Sequence, residues 1–581
     1  LTRNIQPLFG VLLIGGLLAQ GCDFQADTRE LRRREAKSLK QEVDQSDEVS
    51  KALQALPLLT RLERRPILKE LSNQLNSWGS SQPTDSGWTS PLGLDSLPAE
   101  LQQSPLALGL GQMEFTDAGC EYLWQSLVLR DLSRWIVERP YRDAIFRPWL
   151  ATQQSQVAPA EALALEQTLK LFDWTIRNVA LEGDPKQVES LPVDPRSPST
   201  DQGLGYRTLP WQTVLFGHGD AIERARAFTQ LLFAQGIPAC MLAIRESSEA
   251  IPPPRLWCIG VPIGNELYLF EPRFGLPLPA GDQAAVATLR QARSDPSILR
   301  RANLPGRFTY PLSTEDLQRA VALLDVEPFA LSLSMRRLEA NLVGEYRMRL
   351  ATDIAQVVSR FQAIDPRLPV ELWSMPWLAQ IYNSMVREQI QDRTPFGLTY
   401  QFQNQAYLND WEFHRARLAH FRGEFAETLD APGALARYMN SRFDEATLDK
   451  LSFDPEAQAK LQLGRQPSES QEDFMNRVEQ LKGSFRAAKI DSNAFLGMLQ
   501  YDLANVDASI DWLDKRLVQV GGTERWRPHA YYLLGRCFEE KGDLPKAAEY
   551  YKGENLPQEA GNRIRLRLLE RQPLAEPSLP N

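Results

Sequence analysis

The chain has 581 residues, too many for one hydrophobic core, so three or four packing units are expected. Its 43% apolar and 24% charged residues are those of an ordinary globular protein. A net charge of −9 argues against nucleic acid as the main partner, because phosphate binding needs a concentrated basic surface, and it leaves room for a local basic patch. The five cysteines, Cys22, Cys120, Cys240, Cys258 and Cys537, show no C-x-x-C spacing. The four histidines, His218, His414, His420 and His529, form no H-E-x-x-H cluster. No structural metal, no cofactor and no disulfide framework are therefore expected.

The start, "LTRNIQPLFGVLLIGGLLAQGC", places one positive charge, Arg3, ahead of an apolar run from Pro7 to Ala19. That run is shorter than the ~20 apolar residues of a membrane-spanning helix and has the build of a signal-peptide core. Its end, "LLAQGC", resembles the cleavage box of bacterial lipoproteins, with the small Gly21 just before Cys22. The resemblance implies removal of residues 1–21, lipid attachment at Cys22 and a mature chain anchored in the cell envelope outside the cytoplasm. Acyl chains hold firmly because each buried CH₂ contributes ~0.8 kcal/mol. An uncleaved or soluble secreted form is the other reading.

Residues 22–105 read as a charged helical stalk followed by a linker rich in Pro, Ser and Gly from Ser77 to Ser104. In the stalk, Arg29, Arg32, Arg33 and Arg34 could touch anionic headgroups. Residues 106–182 return to globular patterning and lead into the core. "YLWQSLVLRDLSRWIVE" and "PAEALALEQTLKLFDWTIRNVAL" carry apolar residues at helical spacing, with Trp124, Trp135 and Trp174 as core residues. A second Pro/Gly/Ser-rich loop follows.

Residues 183–290 form the expected core. In "AIERARAFTQLLFAQGIPA", Ala221, Ala225, Phe228, Leu231 and Leu232 share one helical face, Gly236 stops the helix and Pro238 prevents its resumption. "ACMLAIRE", "RLWCIGVPI" and "ELYLFEP" then read as strands, the last two joined by a turn at Gly264-Asn265. This order and these residues resemble the transglutaminase-like superfamily. The resemblance implies a small papain-like α+β core, flanked here by mostly helical regions. It also implies a cysteine opening the helix, a histidine two residues before the strand tryptophan, and an aspartate before the proline that ends the last strand. A helix N-terminus favours a thiolate, imidazole shuttles its proton, and the carboxylate orients the imidazole. Transferred position by position, these roles fall on Ala221, Arg255 and Glu271, with Asp220 and His218 nearby. Alanine has no nucleophile and arginine keeps its proton. Only Glu271 is chemically close to the family residue. Cys240 and Cys258 read as buried structural thiols. Asp220, Arg255 and Glu271 are expected to form a salt bridge across the former cleft.

Residues 291–490 are expected to be helical, with a helix starting at Ser313 and others at "FALSLSMRRLEANL" and "LATDIAQVVSRFQAI". Residues 491–570 carry a repeat. "AYYLLGRCFEEKGDLPKAAEYYK" resembles a tetratricopeptide repeat, and "FLGMLQYDLANVDASIDWLDKRL" restates it 38 residues earlier, judged from the Leu-Gly pairs Leu496-Gly497 and Leu534-Gly535. A weaker copy begins at "ARLAHFRGEF". Generic helical hairpins are the plainer alternative. The resemblance implies a face for a protein or peptide partner. Residues 571–581 read as a disordered tail.

These features support a membrane-anchored interaction scaffold with no catalytic residue, a pseudoenzyme of the transglutaminase-like type. The alternative is a hydrolase that uses Asp220, His218 or Glu271 in the former cleft.

Overall fold

The computed structural model describes residues 48–571 except 61–63, 83–87, 184–207, 246–253, 282–283, 393, 395–406, 408–410, 430, 462 and 466. The signal segment, Cys22 and the four stalk arginines therefore lie outside the described residues, as does the tail after Arg571. No helix among the described residues is long and apolar enough to cross a membrane.

The architecture is α+β. A six-stranded mixed sheet sits among helices. Its strands are β1 (Cys240–Ile244), β2 (Arg255–Ile263), β3 (Glu266–Glu271), β4 (Leu276–Pro277), β5 (Ala320–Leu324) and β6 (Val370–Leu372), in the order β6-β5-β1-β2-β3-β4. Only the β5–β6 pair is parallel. The β2–β3 hairpin turns at Gly264, whose φ of 58° is the left-handed region that a residue without Cβ enters at little cost.

Five helices matter for the site. They are α1 (Asp117–Val137), α2 (Pro159–Asn178), α3 (Ala221–Ala234), α4 (Gln471–Asp502) and, after three hairpin helices, the C-terminal one (Glu559–Arg571). The hairpin partners are α5 (Val506–Leu513), α6 (Arg527–Glu540) and α7 (Leu544–Tyr551), which makes the last helix α8. Helix α3 docks on the sheet through Phe228, whose ring lies 5.1 Å from Phe172 of α2 and 5.5 Å from Phe270 of β3. Three mutually touching, fully buried aromatic rings hold helix to helix and helix to sheet, each side chain contributing about 1.5–3 kcal/mol by burial.

The structure changes four expectations. Helix α3 is not one-sided: every residue from Glu223 to Leu232 is buried, including Arg224 and Arg226. The region 291–490, expected to be helical, contributes β5 and β6 to the sheet. The helix at Ser313 lasts only from Thr314 to Leu317, because "AVALL" is apolar on both faces and fills an interior strand position. Finally, the residues described from 64 to 80 pack into the core and do not form a solvated stalk. Leu71, Leu75 and Trp78 of the helix Arg64–Ser80 are buried, and Asn76 clamps Phe115 by giving a hydrogen bond to its carbonyl and taking one from its N–H.

The C-terminal helices carry a measurable repeat. Gly497 of α4 abuts Leu513 of α5, and Gly535 of α6 abuts Tyr551 of α7. Both glycines precede their partners by the same interval, and both hairpins turn on a positive φ, at Ala504 (65°) and Gly542 (75°). Ser509 and Ala547 are buried at matching places in the second helices. An upstream hairpin, Glu412–Phe421 with Ala434–Asn440, stands where the weaker copy is expected.

Candidate functional site

Of the residues singled out by the sequence, His218, Asp220 and Ala221 lie at the start of α3, Arg255 and Glu271 lie at strand ends, and each is engaged separately. Asp220 is the N-cap: its Oδ1 accepts from the N–H groups of Ile222 and Glu223, both at 2.9 Å. Glu223 reciprocates, accepting from Asp220 N at 3.1 Å and, through its other oxygen, from Thr208 N and Oγ1 at 2.9 and 2.8 Å. This box satisfies amides that a helix start leaves without intrahelical partners. Ala221 follows as the first helical residue and is buried.

His218 lies on a two-residue strand, His218–Gly219, paired in parallel with Ala180–Leu181. Its Nδ1 is 2.8 Å from Glu182 Oε1, and that hydrogen bond holds the Glu182 carboxyl below its ordinary range. The imidazole is stacked near Phe216 and meets Trp526 edge-on at 6.2 Å.

Arg255 is the exposed first residue of the interior strand β2 and donates from Nη1 to the Pro311 carbonyl at 3.2 Å. Among the described residues it does not bridge Asp220 and Glu271, which corrects the expected salt bridge. The reason is its place at the strand end, where a neighbouring loop carbonyl is closer to hand than the interior. Glu271 ends β3 and is only 3% exposed. It accepts from the Tyr310 hydroxyl at 3.0 Å and the Arg273 N–H at 3.2 Å. Tyr310 in turn accepts from Trp257 Nε1 at 2.5 Å. Burial, then the Glu271 charge, push the phenol well above its ordinary range, so it keeps the proton it donates.

Three residues that the sequence reading passed over complete the picture. Arg224, fully buried on α3, donates to the carbonyls of Val179 and Pro272 and to Gln558 Oε1 at 2.7 Å. One guanidinium thereby joins α3, the end of β3 and the segment just before α8. Tyr310 lies in the loop "RFTYPLS", where no periodicity marks it. Gln558 lies 334 positions from Arg224 in sequence. Around this junction the C-terminal helices pack against the sheet and α2. His529 of α6 donates from Nε2 to the Arg177 carbonyl at 2.9 Å, and Gly561 of α8 lies against the Phe274 backbone so closely that a Cβ would collide with it.

The arrangement positions elements. It offers no described thiol at the helix start and no imidazole paired with one. Cys120, Cys240, Cys258 and Cys537 are free and buried, and burial raises the thiol pKa of each, Cys120 and Cys537 to about 12. No known family model, curated protein or solved structure matches this chain.

Proposed function

We propose that the chain is a lipid-anchored protein of the bacterial cell envelope that acts as an interaction scaffold, built on a catalytically inactive transglutaminase-like core with tetratricopeptide-like repeats. One observation carries the reading. The helix start that would present a nucleophile instead has a buried alanine, and Arg224, Gln558 and Gly561 lock the surrounding junction to the C-terminal helices. A cleft used as a seam between parts of the chain favours binding over turnover. The "LLAQGC" box supports Cys22 as the lipid site. The repeats' first helices, α4 and α6, face the core, so α5 and α7 are the helices left for a protein partner.

Metabolic labelling with an alkyne fatty acid tests the anchor. The wild type should take the label and sediment with membranes, and C22A should do neither. Co-purification after cross-linking in envelopes tests the scaffold: a recurrent protein partner is expected, and its absence would overturn this part. Amide hydrolysis or transfer by the purified chain, abolished in D220A or E271A, would restore the hydrolase reading.

A further inference from the structure

At the other end of α3 lies an open groove of about 1560 Å³. It is formed by the end of α3 and its exit (Phe233 to Ala239), the β2–β3 turn, the segment 88–92 and residues 324–360. The degenerate positions sit at the opposite helix end, about 20 Å away for a 14-residue helix. Small-molecule pockets measure roughly 300–1,000 Å³, so this groove suits an extended chain better than a compact ligand.

Its charge departs from that of the whole protein. Six arginines line it, in a chain whose net charge is −9. Arg336, Arg347 and Arg360 are exposed and have no carboxylate partner among the described residues. Arg349 touches Glu339 at 3.2 Å and remains 58% exposed. Of the acidic lining, Glu161 is half-buried and has no ion-pair partner among the described residues, and the rest is internally engaged. Asp325 and Glu327 hold the buried Arg226 at 3.1 and 2.6 Å, Glu339 accepts from the N–H groups of Leu350 and Ala351, and Asp353 caps the helix Ile354–Ile364. The charge free to meet a ligand is therefore positive on balance, three arginines against the one carboxylate of Glu161. Two large apolar residues, Leu92 and Val343, are left 56% and 60% exposed along the same groove. Arginine forks match carboxylates in geometry, and exposed aliphatic side chains at a groove take apolar ones.

We propose that this groove binds an extended acidic peptide segment of a partner protein. Arg336, Arg347 and Arg360 receive its carboxylates, and Leu92 and Val343 its apolar side chains. The assignment rests on the scaffold reading for its biological setting, and it names the chemistry of the partner.

Fluorescence anisotropy on the full chain tests it, with a labelled peptide alternating Glu and Leu, its Lys-Leu counterpart, and free glutamate as competitor. The Glu-Leu peptide should bind, more weakly as salt rises, and R336Q/R347Q/R360Q should lose at least about tenfold in affinity with an unchanged melting temperature. V343S should weaken binding without altering the salt dependence. Absence of Glu-Leu binding, equal binding by the triple variant or by Lys-Leu, or full displacement by free glutamate would each overturn the proposal. If the triple variant lowers the melting temperature, R360Q alone, on the solvent side of its helix, must still weaken binding. The two readings fail separately. An envelope partner that the triple variant still captures removes the groove and leaves the scaffold. Peptide binding with no captured partner removes the scaffold and leaves the groove.

Discussion

Arg224 and Arg255 show how differently two arginines near one site can act. Arg255 stands where the sequence resemblance would put a histidine; it is exposed and donates to the Pro311 carbonyl, so R255M should change stability by no more than about 1 kcal/mol. Arg224 is fully buried with three acceptors, and R224M should cost roughly 3 kcal/mol or more, read from urea denaturation midpoints. The signal for Arg224 was present in the sequence. It lies three residues after Ala221 and four before Phe228, on the apolar stripe itself, where a charge must find buried partners. Those partners were not legible, since Val179, Pro272 and Gln558 come from three distant segments. His529 gives a second residue-scale expectation. Burial, then the neighbouring Arg224 charge, lower its pKa to about 3. In the unfolded chain it titrates near 6.5, so below about pH 6.5 the unfolded state binds the extra proton and stability falls as pH drops toward 3. His420 is shifted the same way, by burial first. The melting temperature should be lower at about pH 5 than at about pH 7.5, and H529Q should narrow that gap without closing it. An unchanged gap would show that His529 is not the group responsible.

Among elements, the repeated hairpins make the sharpest contrast. A Cβ at Gly535 meets the Tyr551 ring, which is itself fully buried, so G535A should cost about 1–3 kcal/mol through overpacking. Gly483 lies in the interior of α4 with nothing within 4 Å of a built Cβ, so G483A should stabilise by about 0.5–1 kcal/mol. Thermal melts of both variants decide it: equal effects would mean that helix propensity, not close approach, governs both sites. The sequence revealed these hairpins because glycine, alanine and leucine recur at fixed intervals. It also revealed β1, β2 and β3, whose apolar runs are bounded by turn residues. It did not reveal β5. "STEDLQRAVALLD" begins with a sound capping box, and nothing local says that the helix yields after one turn to a strand. The deciding influence was the open edge of β1, which β5 pairs antiparallel, a tertiary preference over a local one.

For the whole molecule, ion pairs buried between the repeats and the rest of the chain set the cooperativity. Arg536 of α6 reaches Asp173 of α2 at 2.7 Å, and Arg565 of α8 reaches Asp143 at 2.9 Å, all four nearly or fully buried. Breaking such pairs leaves uncompensated charge inside, at about 3–5 kcal/mol each. The core and hairpins should therefore unfold in one calorimetric transition, and a chain ending at residue 490 should lose cooperative melting altogether. Two separated transitions would contradict this. Gly561 adds a temporal consequence. A polypeptide is made from its N-terminus, so the backbone at Phe274 waits uncovered while almost the entire second half of the chain is synthesised. A premature stop or a proteolytic cut near residue 560 would thus leave a defect at the end of β3, hundreds of residues upstream, and mark the whole product for degradation.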